Sequence, residues 1–392
     1  MRNEIINTLD ILLPKTNDYW IMPVYFIGDG DFVDNVFAVF EKIKNEKHIK
    51  KIILTRNTEI NVTGKNTIII PMSSYRAIYY LLRSNIIFVQ HSLWLDLKEA
   101  KFQITNPRSR HIINLWHGIA PKDISHENTG IINERSLLEM PNYYHICSSN
   151  TDRKNKKKAF FGTPLENFWI TGNPRCDFLK MEEKELPKSY QNQLGKLRKI
   201  TKNNRLFVYA PTYRETDKNG GYYRFDSSEL ETLQRFLENN NIYFGVRYHI
   251  YRKPDFYKSF LKYPNIIDLS AEVISDFRII MRVADVLVTD YSSVYVDALY
   301  LDKRCISFSY DLKHYSEVQR GFFADFETIF PGKICQNFEE LLDSMHKAIE
   351  PMDKQEKEKY KKVRNILFQY NDANNAIRVI DKISHSFSLK GD

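Results

Sequence analysis

Two doubly wound α/β domains, each built on a mainly parallel sheet, are predicted by three features of this sequence. Short apolar, β-branched runs alternate with amphipathic stretches at helical spacing. The alternation halts at a polar, lysine-rich segment from about Lys180 to Asn204 and then restarts, which reads as a helix or linker between domains. The 392 residues also match two domains at roughly 100–200 residues each.

In chain order, the first-half strand candidates are Tyr19–Ile27, Lys51–Thr55, Thr67–Pro71, Ile86–Gln90, His111–Trp116, His145–Ser148 and Phe168–Thr171. Between them, Asn35–Asn45 places Val36, Val39, Phe40 and Ile43 on one helical face. Ser73–Arg83 does the same and opens on a serine pair suited to N-capping. Second-half strands are expected at Leu206–Ala210, Tyr243–Tyr248, Ile266–Asp268, Val286–Thr289 and Cys305–Ser309. Helices are expected at Ser228–Glu238, Asp276–Val283, Val294–Leu301 and Phe338–Ile349. The expected division is a first domain over 1–185, a second domain over 186–350, and a C-terminal segment 351–392 whose helix, about Lys354–Tyr370, crosses back to the first domain. Two such domains facing each other place the functional cleft between them, at the carboxyl ends of the strands.

The composition narrows the function class. A hydrophobic fraction of 43% with 27% charged residues excludes wholesale disorder, collagen-like repeats and a polytopic membrane protein. The net charge of +8 suits an anionic partner, whether phosphate-rich substrate, nucleic acid or acidic lipid surface. The absence of RRM, KH or helix-turn-helix patterns argues against nucleic acid. Cys147, Cys176, Cys305 and Cys335 lie far apart, form no zinc-type spacing or disulfide framework, and fit a reducing cytosol. The N-terminus has no secretory pattern, and no apolar run approaches about 18 residues, so any membrane contact is expected to be peripheral. GxGxxG, P-loop and HExxH motifs are missing, which disfavours dinucleotide oxidoreduction and P-loop phosphotransfer.

Five segments are candidates for chemistry, four of them at expected strand ends and the fifth a polar loop. In Asn114-Leu-Trp-His-Gly-Ile-Ala-Pro-Lys122, His117 follows an apolar run directly, Gly118 permits an unusual backbone angle, and Lys122 closes the motif. An imidazole there suits a general base, although a histidine in a turn explains it more simply. In Val286-Leu-Val-Thr-Asp-Tyr-Ser-Ser-Val294, a buried-type strand ends at Thr289 and Asp290, and Ser292 and Ser293 open a helix. Hydroxyls and amides at a helix start cap it or hold a diphosphate. Val246-Arg-Tyr-His249 brings Arg247 and His249 to another strand end. Tyr209-Ala-Pro-Thr-Tyr-Arg214 contributes Thr212 and Arg214, and Gln319-Arg-Gly-Phe-Phe323 contributes Arg320. Arg153, Lys154, Lys156, Lys157 and Lys158 precede two phenylalanines and could grip acidic lipid, with a solvated loop as the plainer reading. Asp29 and Asp31 could hold a divalent cation, but a Gly-Asp turn explains them equally well.

Taken together, WHGIAPK, TGNPRCD at 171–177, YAPTYRE at 209–215, VRYH, TDYSS and RGFFADFETIFPGKI at 320–334 resemble the CDP-glycerol glycerophosphotransferases that build teichoic acids and related capsule polymers. The resemblance runs from about Trp20, through Asp34-Asn35, to the last helix. It implies a GT-B-like architecture, with 1–185 as the acceptor domain and 186–350 as the CDP-donor domain, and transfer of an alditol phosphate from a CDP-activated donor to a hydroxyl, with release of CMP. It implies His117 as the base, His249 as a second important histidine, and Ser292, Ser293 and Arg320 near the donor diphosphate. No metal site is expected, although a donor diphosphate can bring its own Mg²⁺. The implied partners are CDP-glycerol or CDP-ribitol, a polymer or lipid-linked acceptor, and an acidic membrane surface at the inner face of the bacterial cell membrane. The loop Ile119-Ala-Pro-Lys122, the Ile-Tyr after His249 and Asp372-Ala-Asn depart from the usual pattern. They keep ribitol phosphate open beside glycerol phosphate. A GT-B glycosyltransferase using a nucleotide sugar is the alternative that keeps the fold and changes the chemistry.

Overall fold

A computed structural model describes residues 2–24, 32–57, 59–101, 104, 109–119, 142–160, 162–212, 222–248, 257–312 and 326–387. The chain divides into two compact units.

The first unit carries seven strands: β1 (Thr16–Pro23), β2 (Lys50–Thr55), β3 (Thr67–Pro71), β4 (Ser84–Val89), β5 (His111–Asn114), β6 (Tyr143–Cys147) and β7 (Phe168–Ile170). They form one sheet in the order β3-β2-β1-β4-β5-β6-β7, and every pairing is parallel. The run β3-β2-β1-β4-β5-β6 is the dinucleotide-fold order, which reverses direction between β1 and β4. Ile21 faces Ile52 on one side and Ile87 on the other, and all three are fully buried. This is why these strands read as continuous apolar runs rather than alternating ones. Helices α1 (Arg2–Leu12), α2 (Asp34–Ile43), α3 (Tyr75–Arg83) and α4 (Asn150–Ala159) belong to this unit. The Ser74 hydroxyl accepts from the Ala77 amide at the start of α3, the cap the serine pair predicts.

The second unit opens with α5 (Lys188–Thr201), so the lysine-rich stretch is largely a helix. Its buried Tyr190, Leu194, Leu197 and Thr201 recur at spacings of three and four. Six strands follow: β8 (Arg205–Tyr209), β9 (Ile242–Val246), β10 (Ile266–Asp268), β11 (Val286–Thr289), β12 (Arg304–Phe308) and β13 (Lys333–Cys335). They pair in parallel in the order β10-β9-β8-β11-β12-β13, so the switch point lies between β8 and β11. Helices α6 (Ser227–Asn239), α7 (Phe277–Val283), α8 (Val294–Tyr300), α9 (Phe338–Lys347) and α10 (Lys354–Leu367) also belong to this unit. A capping box between Asp226 and Glu229 starts α6, which buries Leu230, Leu233, Phe236 and Leu237. Each such side chain contributes about 1.5–3 kcal/mol relative to exposure.

The chain passes between units at Asp177/Phe178 and again at Leu367/Phe368, not at 185 and 350 as the sequence suggests. Helix α10 stays with the second unit. It is the following helix, α11 (Asn375–Ser386), that belongs to the first. Tyr360 explains why α10 stays: its hydroxyl accepts from the Cys305 amide at 2.7 Å and the side chain is buried. Among the described residues, no helix is long and apolar enough to cross a membrane.

Candidate active site

In the first unit, β1, β4 and β5 all end on the same edge of the sheet, and the segments that follow them meet there. Asp34 and Asn35 open α2 after β1. Gln90 and His91 follow β4, and Trp116 and His117 follow β5. Asn35 ties these ends together: its amide donates to the Leu115 carbonyl at 3.0 Å and the Trp116 carbonyl at 2.7 Å, while its Oδ1 accepts from the Arg175 amide at 2.9 Å. Arg175, in the turn after β7, donates through Nη1 to the His117 carbonyl at 2.8 Å and approaches Asp34 Oδ2 at 3.3 Å. Asn114 donates to the His91 carbonyl and accepts from the Trp116 amide, which joins the ends of β4 and β5.

This frame forces an irregular backbone. Trp116 sits at φ +53° and Gly118 at φ +146°. A Cβ on Gly118 would lie 2.8 Å from Arg175 Nη2, so the glycine allows both the backbone angle and the close pass of the guanidinium. The Trp116 ring rests near Phe160, with centroids 5.5 Å apart, and under Lys156 Nζ at 5.4 Å. The basic run is thus neither a solvated loop nor wholly exposed: residues 150–159 form α4. Lys156 is buried, donating to the Ile146 carbonyl at 2.7 Å and to Asp152 at 2.9 Å. Lys154 and Lys158 remain exposed.

His117 projects from this frame with its side chain accessible to solvent. Its Nδ1 lies 3.3 Å from the Gln90 carbonyl. A carbonyl only accepts, so Nδ1 carries the proton and Nε2 presents a lone pair. Surrounding protein, then the neighbouring His91 ring and the Arg175 guanidinium, lower the His117 pKa, against the Gln90 carbonyl and Asp34, which raise it. The result is an accessible, neutral imidazole of defined tautomer at neutral pH.

In the second unit, the ends of β8 and β11 meet at the switch point. Asp290 is buried. Its Oδ1 accepts from the Thr212 amide at 2.8 Å, from the Thr212 hydroxyl, and from the Tyr291 amide at 2.6 Å. Thr289 is buried and donates its hydroxyl to the Ala210 carbonyl at 2.7 Å. These side chains shape the turn, and their polar atoms are engaged by protein. Ser292 and Ser293 are half-buried beyond it. The Ser293 hydroxyl makes no capping bond to α8, contrary to the plain capping expectation. Arg247 donates to the carbonyls of Leu269, Ile274 and Ser275 at 2.9, 2.5 and 3.0 Å. Burial lowers its pKa to about 10, so it stays charged while bracing the 269–275 loop. Lys122, Arg214, His249 and Arg320, with Asp29 and Asp31, lie outside the described residues.

Sequence reasoning missed His91 and Asp96 as members of the first-unit site, and gave Asp34, Asn35 and Arg175 no role within the segments it singled out. The signal available was positional: each follows a strand that the topology aligns on one edge.

A family model described as CDP-Glycerol:Poly(glycerophosphate) glycerophosphotransferase matches residues 13–385. The chain is 27% identical over 328 residues to the teichoic acid ribitol-phosphate polymerase TarL of Staphylococcus aureus (strain NCTC 8325 / PS 47), covering 79% of this chain and 54% of that protein. It is 27% identical over 271 residues to a teichoic acid poly(glycerol phosphate) polymerase of Bacillus spizizenii (strain ATCC 23059 / NRRL B-14472 / W23), covering 65% of this chain and 66% of the other. The chain spans about half the length of the curated relatives it matches. Among solved structures, the wall teichoic acid polymerase TagF aligns with a TM-score of 0.76 at 18% identity, covering 99% of this chain and 94% of that one. The two Rossmann-like units are therefore the GT-B-like fold class that the sequence predicts.

Proposed function

The chain belongs to the CDP-glycerol:poly(glycerophosphate) glycerophosphotransferase family, and from that premise we propose that it transfers an alditol phosphate from a CDP-activated donor to a hydroxyl of a teichoic acid-type polymer or its lipid-linked precursor. The observation that carries this reading is the His117 ring, accessible and neutral, with Nδ1 turned to the Gln90 carbonyl. Its Nε2 accepts the proton of the acceptor hydroxyl as that oxygen attacks the donor's distal phosphorus. The new P–O bond forms while the bond from that phosphorus to the bridging oxygen breaks, and CMP leaves with the bridging oxygen and the electron pair. The alditol phosphate stays in the product as a phosphodiester.

Phosphoryl transfer depends mainly on positioning and on stabilising spread negative charge. In the second unit, the buried Thr212–Asp290 link holds the turn that presents Ser292 and Ser293, and these hydroxyls are the proposed donor-phosphate contacts. His249 and Arg320 enter the reading through their motifs. Relatives named for ribitol phosphate and for glycerol phosphate both match, so both CDP-alditols are proposed donors. Any divalent cation is proposed to arrive with the donor diphosphate. The net charge of +8 and the exposed Lys154 and Lys158 support peripheral contact with an acidic membrane surface at the inner face of the cell membrane.

The test is CMP release by the purified full chain given CDP-glycerol or CDP-ribitol with a crude lipid-linked acceptor. CMP-sialate and UDP-sugars serve as controls, and EDTA is included in parallel. Release from one CDP-alditol that His117→Ala reduces by at least about 10²-fold supports the reading. Turnover only with a nucleotide sugar, or full activity in His117→Ala, overturns it.

A further inference from the structure

The His117 ring does not stand alone. The His91 ring lies flat against it, with centroids 4.2 Å apart and planes 3° from parallel. Behind His91, Asp96 Oδ1 approaches His91 Nδ1 at 3.7 Å. The other oxygen of that carboxylate accepts from the backbone amides of Gln90 and His91 at 2.7 and 2.8 Å. Asp96 is therefore fixed by the backbone whatever the charge on His91, and the residue is almost wholly buried. Gln90 and His91 act on one imidazole from two directions: the carbonyl sets its tautomer and the ring sets its plane.

We infer that His91 is a positioning residue for His117: stacked flat against it, the ring fixes the plane of the base and opposes positive charge on it. The inference rests on the reading of His117 as the base. Two imidazolium rings in parallel contact repel strongly in a partly desolvated site. Positive charge on both stacked rings at once is therefore disfavoured. The other charges facing the pair divide. Asp34, at the start of α2, favours a proton on His117. Arg175, in the turn after β7, opposes it, and Lys156 of α4 stands farther off behind Trp116. Without His91, Asp34 gains weight and His117 takes up a proton at higher pH.

The experiment is an NMR titration of the His117 ring in the full chain labelled at histidine, with the resonance assigned by its loss in His117→Ala. Wild type is compared with His91→Phe, which keeps a flat ring without charge, and with His91→Asn, which keeps neither. The His117 titration is expected to move to higher pH by about one unit in both variants. The acid limb of kcat/KM for CMP release moves by the same amount. His91→Asn should also lower kcat by about tenfold through loss of the stacked orientation, a loss that His91→Phe largely avoids. An unchanged His117 titration in both variants, or equal losses of kcat with no shift in pH profile, overturns the inference. Should His91→Phe fail to fold, the His91→Asn titration decides alone. The NMR arm does not need turnover, so a failure of the base assignment shows in His117→Ala activity while the coupling of the rings is judged separately.

Discussion

At the scale of single residues, the site depends on a few atoms that leave no room for substitution. Gly118 combines a positive φ with a guanidinium nitrogen 2.8 Å from where its Cβ would lie. Gly118→Ala must either shift Arg175 away from the His117 carbonyl and Asp34 or distort the loop itself. The expected outcome is at least a tenfold fall in kcat/KM, with a loss of about 1–3 kcal/mol in stability. Gly195 makes the control: nothing lies within 4 Å of its Cβ position and it sits inside α5. Gly195→Ala is therefore expected to raise stability by about 0.5–1 kcal/mol, with activity unchanged. CMP release and urea denaturation check both. His117 was legible in the sequence as a histidine directly after an apolar run. His91, Asp34 and Arg175 were not, because their roles arise only when three separate strand ends converge.

Elements show the same division between what patterning reveals and what packing decides. Twelve of the strands appear as apolar runs because both sheet faces are covered, whereas β13 (Lys333–Cys335) opens on an exposed lysine and buries only Cys335. Helix α4 escaped notice for the opposite reason. Its sequence lacks an apolar face, and it is held by the Ser149 cap and the buried Lys156–Asp152 pair. Helix α11 did carry a signal, with Ala376, Val379 and Ile383 buried on one side. Its start is anchored by Asp177, which accepts from the Asn375 and Ala376 amides at 2.8 and 2.9 Å. Burial raises the Asp177 pKa to about 6, against the pull of those two amides. Between about pH 4 and 6 the folded chain keeps a proton that the unfolded chain releases, so this residue's contribution falls as pH rises through that window. The fall amounts to about 2–3 kcal/mol, at 1.36 kcal/mol per unit. Asp177→Asn is expected to remove it. Urea midpoints of both proteins at pH 4.5 and 7 measure the difference, and identical pH dependence in the two would contradict this account.

On the scale of the whole molecule, the two units differ in how the chain builds them. The second is drawn essentially from one stretch, Phe178–Leu367, while the first needs residues from both ends. Residues 178–367 expressed alone are expected to unfold cooperatively in urea. Residues 1–177 alone should not, because the seat of Ala376, Val379 and Ile383, each fully buried, would be open to water. Adding residues 368–392 as a separate peptide should restore cooperative unfolding, and a cooperative 1–177 fragment without it would contradict this. The seat is tight: Gly172, at φ +80°, would bring a Cβ within 1.9 Å of Asn375 Oδ1. This returning helix also imposes a schedule on biosynthesis. The ribosome delivers the strands of the first unit early, and the helix that packs against α2 and the 174–176 turn follows much later. At about 5–20 residues per second, tens of seconds pass while the intervening stretch emerges. Throughout that interval the nascent first unit presents an uncovered apolar surface, so the order of translation, rather than the stability of the finished fold, sets when this protein is most exposed to aggregation and most in need of a chaperone.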